Sequence, residues 1–307
     1  MKRSPPVPPL LVLVFGILAV STASIFIRQA QAYAPSLVIA AYRLALATLV
    51  LAPVALTRRR SEIASLGKLE VGLALLSGFF LAIHFATWIT SLEYTTVASS
   101  VVLVTTTPLW VALLAPLTIK EPLTRPILIG LSLTMLGTLV VGLSDVCHWS
   151  GTGLACPSAN EFWKEGAFLG DLLALAGAWA AAGYIIIGRR LRVGMSLIGY
   201  IFVVYGMAAV VLIGIMLLAG ESPFGYPPQA YLWLLLLALI PQLLGHSSFN
   251  WALGYLSAAY VSISLMGEPI GSTILAYFLL GETPTTLKIF GAILILTGIY
   301  IASRNQT

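Results

Sequence analysis

Charge is what this chain has least of. Asp, Glu, Lys and Arg make up 9% of its 307 residues, whereas a soluble globular domain carries about 25%, so water is not the main solvent of this chain. Polar stretches long enough for a separate soluble domain are missing as well. Cysteine is nearly absent, and no Cys/His cluster has metal-site spacing, so neither a metal nor another cofactor is expected. No Gly-x-x-x-x-Gly-Lys-Ser/Thr phosphate cradle occurs, which excludes an ATP-driven pump within this chain. Any work it does on a solute draws on a gradient.

What the sequence has in abundance is apolar length: 59% of residues are hydrophobic and the mean hydropathy is +0.99. A helix needs about 20 consecutive apolar residues to cross the hydrocarbon core. Runs of that kind fall near 10–29, 35–56, 70–92, 96–118, 124–144, 168–188, 195–219, 230–253, 258–280 and 286–303. A β-barrel would instead alternate in hydropathy over segments of about ten residues. The expected fold is therefore all-α and integral to a membrane, with ten spans.

Lys and Arg set the orientation, because cytoplasmic loops retain them. With the N-terminus inside, the inner segments carry Lys2, Arg3, Arg58, Arg59, Arg60, Lys68, Lys120, Arg125, Arg189, Arg190, Arg192 and Arg304. The outer side carries only Lys164, Lys288 and Arg28. Both termini are then cytoplasmic and the membrane is the plasma (inner) membrane. The net charge of +5 records this topology, and no clustered basic face for a nucleic-acid partner is evident. The first apolar run lacks a convincing cleavage site and reads as a retained span. Cys147 and Cys156 share the external loop, where they form either a disulfide or two free thiols.

A constant offset aligns the two halves of the chain without gaps: Pro108 with Pro269 and Glu121 with Glu282 (269 − 108 = 282 − 121 = 161). The same offset pairs Gly16 with Gly177, Arg28 with Arg189, Tyr94 with Tyr255, Gly130 with Gly291 and Gly137 with Gly298. Residues 1–144 and 168–307 thus form two five-span repeats, joined by an external loop at 145–167. Five is odd, so the second repeat enters the bilayer inverted. Inverted repeats exchanging conformations about a midplane site are a transporter signature, although duplication alone does not prove transport.

The run from Pro108-Leu109-Trp110 to Glu121-Pro122, followed by Gly130 and Gly137, resembles the repeat of the EamA family within the drug/metabolite transporter superfamily. The second copy is closer: Gly267-Glu268-Pro269 leads to Gly281-Glu282, then Gly291 and Gly298. This resemblance covers almost the whole chain. It implies ten helices, cytoplasmic termini, and export or uptake of amino acids, metabolites or drugs without ATP hydrolysis. The first copy departs from the pattern in having Thr107 where the second has Glu268, and the 147–171 region is longer than the family's linker.

Several residues stand out as candidates for the chemistry. Pro108 and Pro269 lack an N–H and leave the carbonyls of Val104 and Leu265 without their helical donor, so each marks either a substrate-site break or a static kink. Glu268 sits near mid-bilayer, where a charge costs at least about 2.5 kcal/mol; it serves proton coupling, substrate contact, or a structural pair with Arg43. Arg43 itself, within the second span, reads first as architecture and second as a contact for a substrate carboxylate.

Polar stripes recur at helical spacing on the third span (His84, Trp88, with Thr87 and Ser91) and on the eighth (Gln242, His246, Asn250), and both should face the interior. Thr106, Trp110, Trp179, Tyr184 and Ser264 complete the expected substrate pathway, with Trp88 and Trp179 the preferred aromatic contacts. Gly245-His246-Ser247-Ser248-Phe249 approaches a nucleophile elbow but lacks its last glycine and its strand-to-helix turn, so an enzyme is not expected. With Arg43 the one deep arginine, a neutral or zwitterionic solute is favoured, an aromatic or bulky amino acid above all. A nucleotide-type or drug-like solute is the alternative, and a receptor or lipid scramblase the alternative of another class. The expected partners are the small-molecule substrate and the bilayer, with a monomer as the default and a homodimer as the alternative.

Overall fold

The computed structural model describes residues 5–95, 97–146, 148–150, 153–155, 167–280 and 283–304. Cys147, Cys156 and Glu282 lie outside the described residues. Nine helices among the described residues are long and apolar enough to cross a membrane: Pro9–Gln31, Ser36–Arg58, Lys68–Tyr94, Ser100–Thr118, Arg125–Leu143, Ala167–Arg192, Leu197–Leu218, Pro228–Ala252 and Thr286–Ser303. The remaining expected span, the ninth in chain order, consists of two shorter helices, Ala258–Leu265 and Glu268–Leu280. The fold is an all-α membrane bundle of ten spans. The long connection between the fifth and sixth spans also carries a small antiparallel hairpin, His148–Ser150 with Gly153–Ala155.

The fourth and ninth spans break at equivalent places. Helix Val97–Val104 stops before Thr105-Thr106 and resumes at Thr107–Thr118; its counterpart stops at Leu265 and resumes at Glu268. Proline at the second position of each resuming helix is the cause, since Pro108 and Pro269 have no N–H to donate. In the first copy the freed carbonyl is recaptured, because the Thr107 hydroxyl donates to Val104 O at 2.8 Å. Two other interruptions are not evident from hydropathy. The first span bends at Ser21-Thr22, where the Ser21 hydroxyl donates to Ile17 O and to Glu268 O. The eighth span widens into a π-helix at Ala238–His246, around Pro241.

Glycine contacts reveal how the halves are related. A Cβ placed on Gly130 would lie 2.5 Å from Gly298 O, and one on Gly137 would lie 2.7 Å from Gly291 O. Gly298 and Gly291 return the contact, at 2.7 and 2.8 Å from the carbonyls of Gly130 and Gly137. The fifth and tenth spans therefore cross backbone to backbone and antiparallel. Gly130 meets the repeat-mate of Gly137, and Gly137 meets the repeat-mate of Gly130, the self-complementary pattern of a two-fold axis. The same relation holds between other spans. Gly177 packs on Thr87, His84 O and Trp88, while Gly16 packs on Ser248, Gly245 O and Phe249, the residues 161 positions further on. The repeats run in the same direction in sequence and are inverted copies in space.

Outward faces are apolar: Leu10, Leu11, Val14, Leu49, Leu117, Val210 and Leu218 are among many large exposed side chains. That surface is suited to hydrocarbon, since its helices keep their backbone bonds internal.

Candidate functional site

The two halves enclose a cavity of about 90 Å³, lined by seven of the ten spans. The fifth and tenth spans form the outer seam and stay away from it. Its walls include Arg43 on the second span, His84 and Trp88 on the third, Thr107 and Pro108 at the break of the fourth, and Tyr184 on the sixth. His246, Phe249 and Asn250 come from the eighth, and Glu268 from the resuming half of the ninth. The helix breaks thus lie on the cavity, where non-helical backbone at membrane depth is tolerated.

Arg43 is fully buried, at 0% exposure. Its Nε donates to Gln242 Oε1 at 2.8 Å, and its guanidinium carbon lies 4.2 Å above the centre of the Phe85 ring. A cation over an aromatic face gains roughly 0.5–2 kcal/mol, the more so when desolvated. These contacts occupy one edge and one face of the group. Among the described residues Nη1 and Nη2 have no hydrogen-bond partner, and neither does the indole N–H of Trp88. Glu268 lines the same cavity, and no ion pair within 4 Å joins it to Arg43 among the described residues.

The third-span stripe is held by backbone. His84 Nδ1 lies 3.0 Å from Gly177 O and therefore carries the proton, and its ring stacks on Trp88 at 5.8 Å and 11°. His246 meets Phe85 edge-on at 5.3 Å. On the other wall, a chain of polar side chains runs from Tyr184 to Asn250, to Tyr205 and on to Ser247. Tyr184 Oη donates to Asn250 Oδ1 at 2.8 Å, Asn250 Nδ2 donates to Tyr205 Oη at 3.2 Å, and Tyr205 Oη lies 3.3 Å from Ser247 Oγ. Ser247, the serine of the elbow-like run, lies in helix Ser247–Ala252 with its hydroxyl engaged in this chain.

The other candidates fall elsewhere. Gln242 is buried behind Arg43 rather than on the cavity wall. Ser264 is buried and donates to Tyr260 O, a bond within its own helix. Thr106 accepts from the Trp110 indole at 3.1 Å. Trp110 packs edge-on against Trp179 at 5.3 Å, and Trp179 is 51% exposed and is not part of the cavity lining. Helical spacing fixes which residues share a face but not which way that face turns. Pro269 does not line the cavity, although its neighbour Glu268 does.

Sequence reasoning passed over Phe85, the platform under Arg43, although it directly follows His84. It also missed the pairing of Glu121 with Arg189, at 2.5 Å between Oε1 and Nε. The other Glu121 oxygen accepts from Ala258 N at 2.9 Å, and Arg189 Nη1 donates to Leu253 O at 2.9 Å. The fourth-to-fifth connection, the sixth span, the eighth and the ninth are thereby tied together at the Lys/Arg-rich end. Both residues carry a repeat partner, which was the available signal.

Known proteins bear on this geometry at three levels. A solved crystal structure of a protein superposes with a TM-score of 0.75 over 97% of each chain at 18% identity, a likeness of fold alone. An uncharacterized transporter of Archaeoglobus fulgidus is 22% identical over 220 residues, 70% of each sequence. The model of the EamA-like transporter family matches residues 8–143 and again 168–304, one match per repeat. With most of its length accounted for in this way, the chain belongs to the EamA-like transporter family.

Proposed function

We propose that this transporter is a secondary-active carrier that moves a small organic metabolite, an amino acid with aromatic or bulky neutral ones preferred, by alternating access. The observation that carries this reading is the cavity between two inverted repeats, with both helix breaks on its wall. Its lining suits such a solute: the Trp88, Tyr184 and Phe249 rings beside one arginine and one carboxylate. A polyanionic nucleotide derivative would call for several cations. At about 90 Å³ the space is smaller than the roughly 300–1,000 Å³ that surrounds a drug-sized ligand, so a substrate enters as the walls part. The Glu121–Arg189 tie then belongs to one closed end, and its release accompanies opening there. The Lys/Arg distribution supports a cytoplasmic position for that end and for both termini, and the membrane in this reading is the plasma membrane.

The test is saturable uptake into proteoliposomes across a panel of amino acids, nucleosides and cationic dyes, with and without a pH gradient. Amino-acid flux that saturates is the expected result. Binding without flux would make the chain a receptor, and equilibration of labelled lipid without solute movement would make it a scramblase.

A further inference from the structure

Arg43 carries a binding capacity that its surroundings do not use. One edge of the guanidinium is held by Gln242 and one face by Phe85, which fixes its orientation. What remains is a pair of terminal nitrogens with no acceptor among the described residues. A fork of that shape matches the two oxygens of a carboxylate. Trp88, also part of the cavity lining, holds a further N–H without an acceptor among the described residues. Glu268, also part of the lining, is the acidic group of the cavity and makes no ion pair with Arg43 within 4 Å.

Leaving a buried charge without a close partner is costly, on the order of several kcal/mol. A bound molecule carrying one carboxylate and one ammonium would neutralise both groups at once and add no net charge to the bilayer interior. A molecule with one of those charges would satisfy one group and strand the other.

We propose that the cavity is a zwitterion site: the substrate carboxylate docks on Nη1 and Nη2 of Arg43 with the Trp88 indole as a further donor, and its ammonium turns to the Glu268 carboxylate. This rests on the carrier reading and assigns the residues that would select the substrate. The apolar part of the solute then lies along Phe249, Leu253, Leu265 and Met266.

The experiment compares three molecules of one skeleton in proteoliposomes: L-phenylalanine, phenethylamine, which lacks the carboxylate, and 3-phenylpropanoate, which lacks the amine. The other common amino acids run in parallel, and cationic dyes and nucleosides serve as controls. Flux of the zwitterion should exceed that of either analogue by at least about 100-fold, since a site built around a polar group rejects ligands without it. Glu268→Gln should narrow the gap between phenylalanine and 3-phenylpropanoate, whereas Arg43→Lys should narrow the gap to phenethylamine. If Arg43→Lys fails to fold, the same contrast is read on the unsubstituted protein in detergent, where the zwitterion should raise the melting temperature and the analogues should not. Equal transport of all three molecules, or flux of dyes or nucleosides with no amino acid moved, overturns the zwitterion site and leaves the carrier intact. No flux of any solute overturns both.

Discussion

The two repeats share their packing and differ in their chemistry. Where the spans cross, repeat-mates do the same job: Gly130 and Gly137 face Gly298 and Gly291, and Gly16 and Gly177 sit on matching residues of the eighth and third spans. On the cavity wall the correspondence fails. Arg43 stands where the second half has Val204, His84 where it has Gly245, and Thr107 where it has Glu268. Conversely, Tyr184 and Asn250 replace Ala23 and Ile89. Close backbone packing is a condition each copy must meet for the bundle to close, so both keep it. Under the proposed zwitterion site a single asymmetric solute needs each binding group once, which accounts for each group appearing in one copy.

Three experiments would break or sharpen this contrast. The largest effects are expected at the seam: Gly130→Ala, Gly137→Ala, Gly291→Ala and Gly298→Ala each drive a methyl to within 2.5–2.8 Å of a backbone carbonyl. Overpacking of this kind costs about 1–3 kcal/mol. All four should lower the melting temperature in detergent by similar amounts, and a large difference between repeat-mates would contradict the two-fold seam.

Next comes the position where the copies diverge, Thr107 against Glu268. Glu268→Gln should cut amino-acid flux at least about 10-fold, the loss of one charge-assisted contact. It should also abolish the response of the residual flux to a pH gradient. His84 and His246 share the cavity with it, so a response that survives would assign the proton to one of those imidazoles. Thr107→Ser, which keeps a hydroxyl for Val104 O, should leave flux and its response unchanged.

The smallest effect is expected outside the spans, at Glu221. Burial, reinforced by the charge of Glu93, pushes its carboxyl above the usual value, and one oxygen has no partner among the described residues. A raised folded value means that the folded protein holds this proton more tightly. The resulting stability is complete below the ordinary carboxylate range and is lost as pH rises through the raised value. Glu221→Gln should therefore raise the melting temperature slightly at pH 7 and leave it unchanged at pH 4.

Much of the fold was legible before any coordinates. Ten apolar runs stand close to the ten spans, because hydrocarbon imposes a minimum length on every crossing. The 161-residue offset located the fourth- and ninth-span breaks, because proline acts through its own missing N–H. The bend at Ser21-Thr22 was hidden: it is held by a bond to Glu268 O, across 247 positions. The π-helical turn around Pro241 was hidden too, since hydropathy does not distinguish it from an α-helix. Trp179 was expected on the pathway; it is half exposed and outside the cavity lining, because helical spacing does not fix which way a face turns.

Composition and spacing alone determined that this chain lives in a bilayer, crosses it ten times and is built twice. Those properties follow from the cost of exposed backbone in hydrocarbon and from periodicity, both local to the sequence. Only the tertiary structure decided that Arg43 would be held by Gln242 and Phe85 and kept out of an ion pair with Glu268. That outcome depends on how far apart spans from opposite halves come to rest, a distance that no single segment encodes.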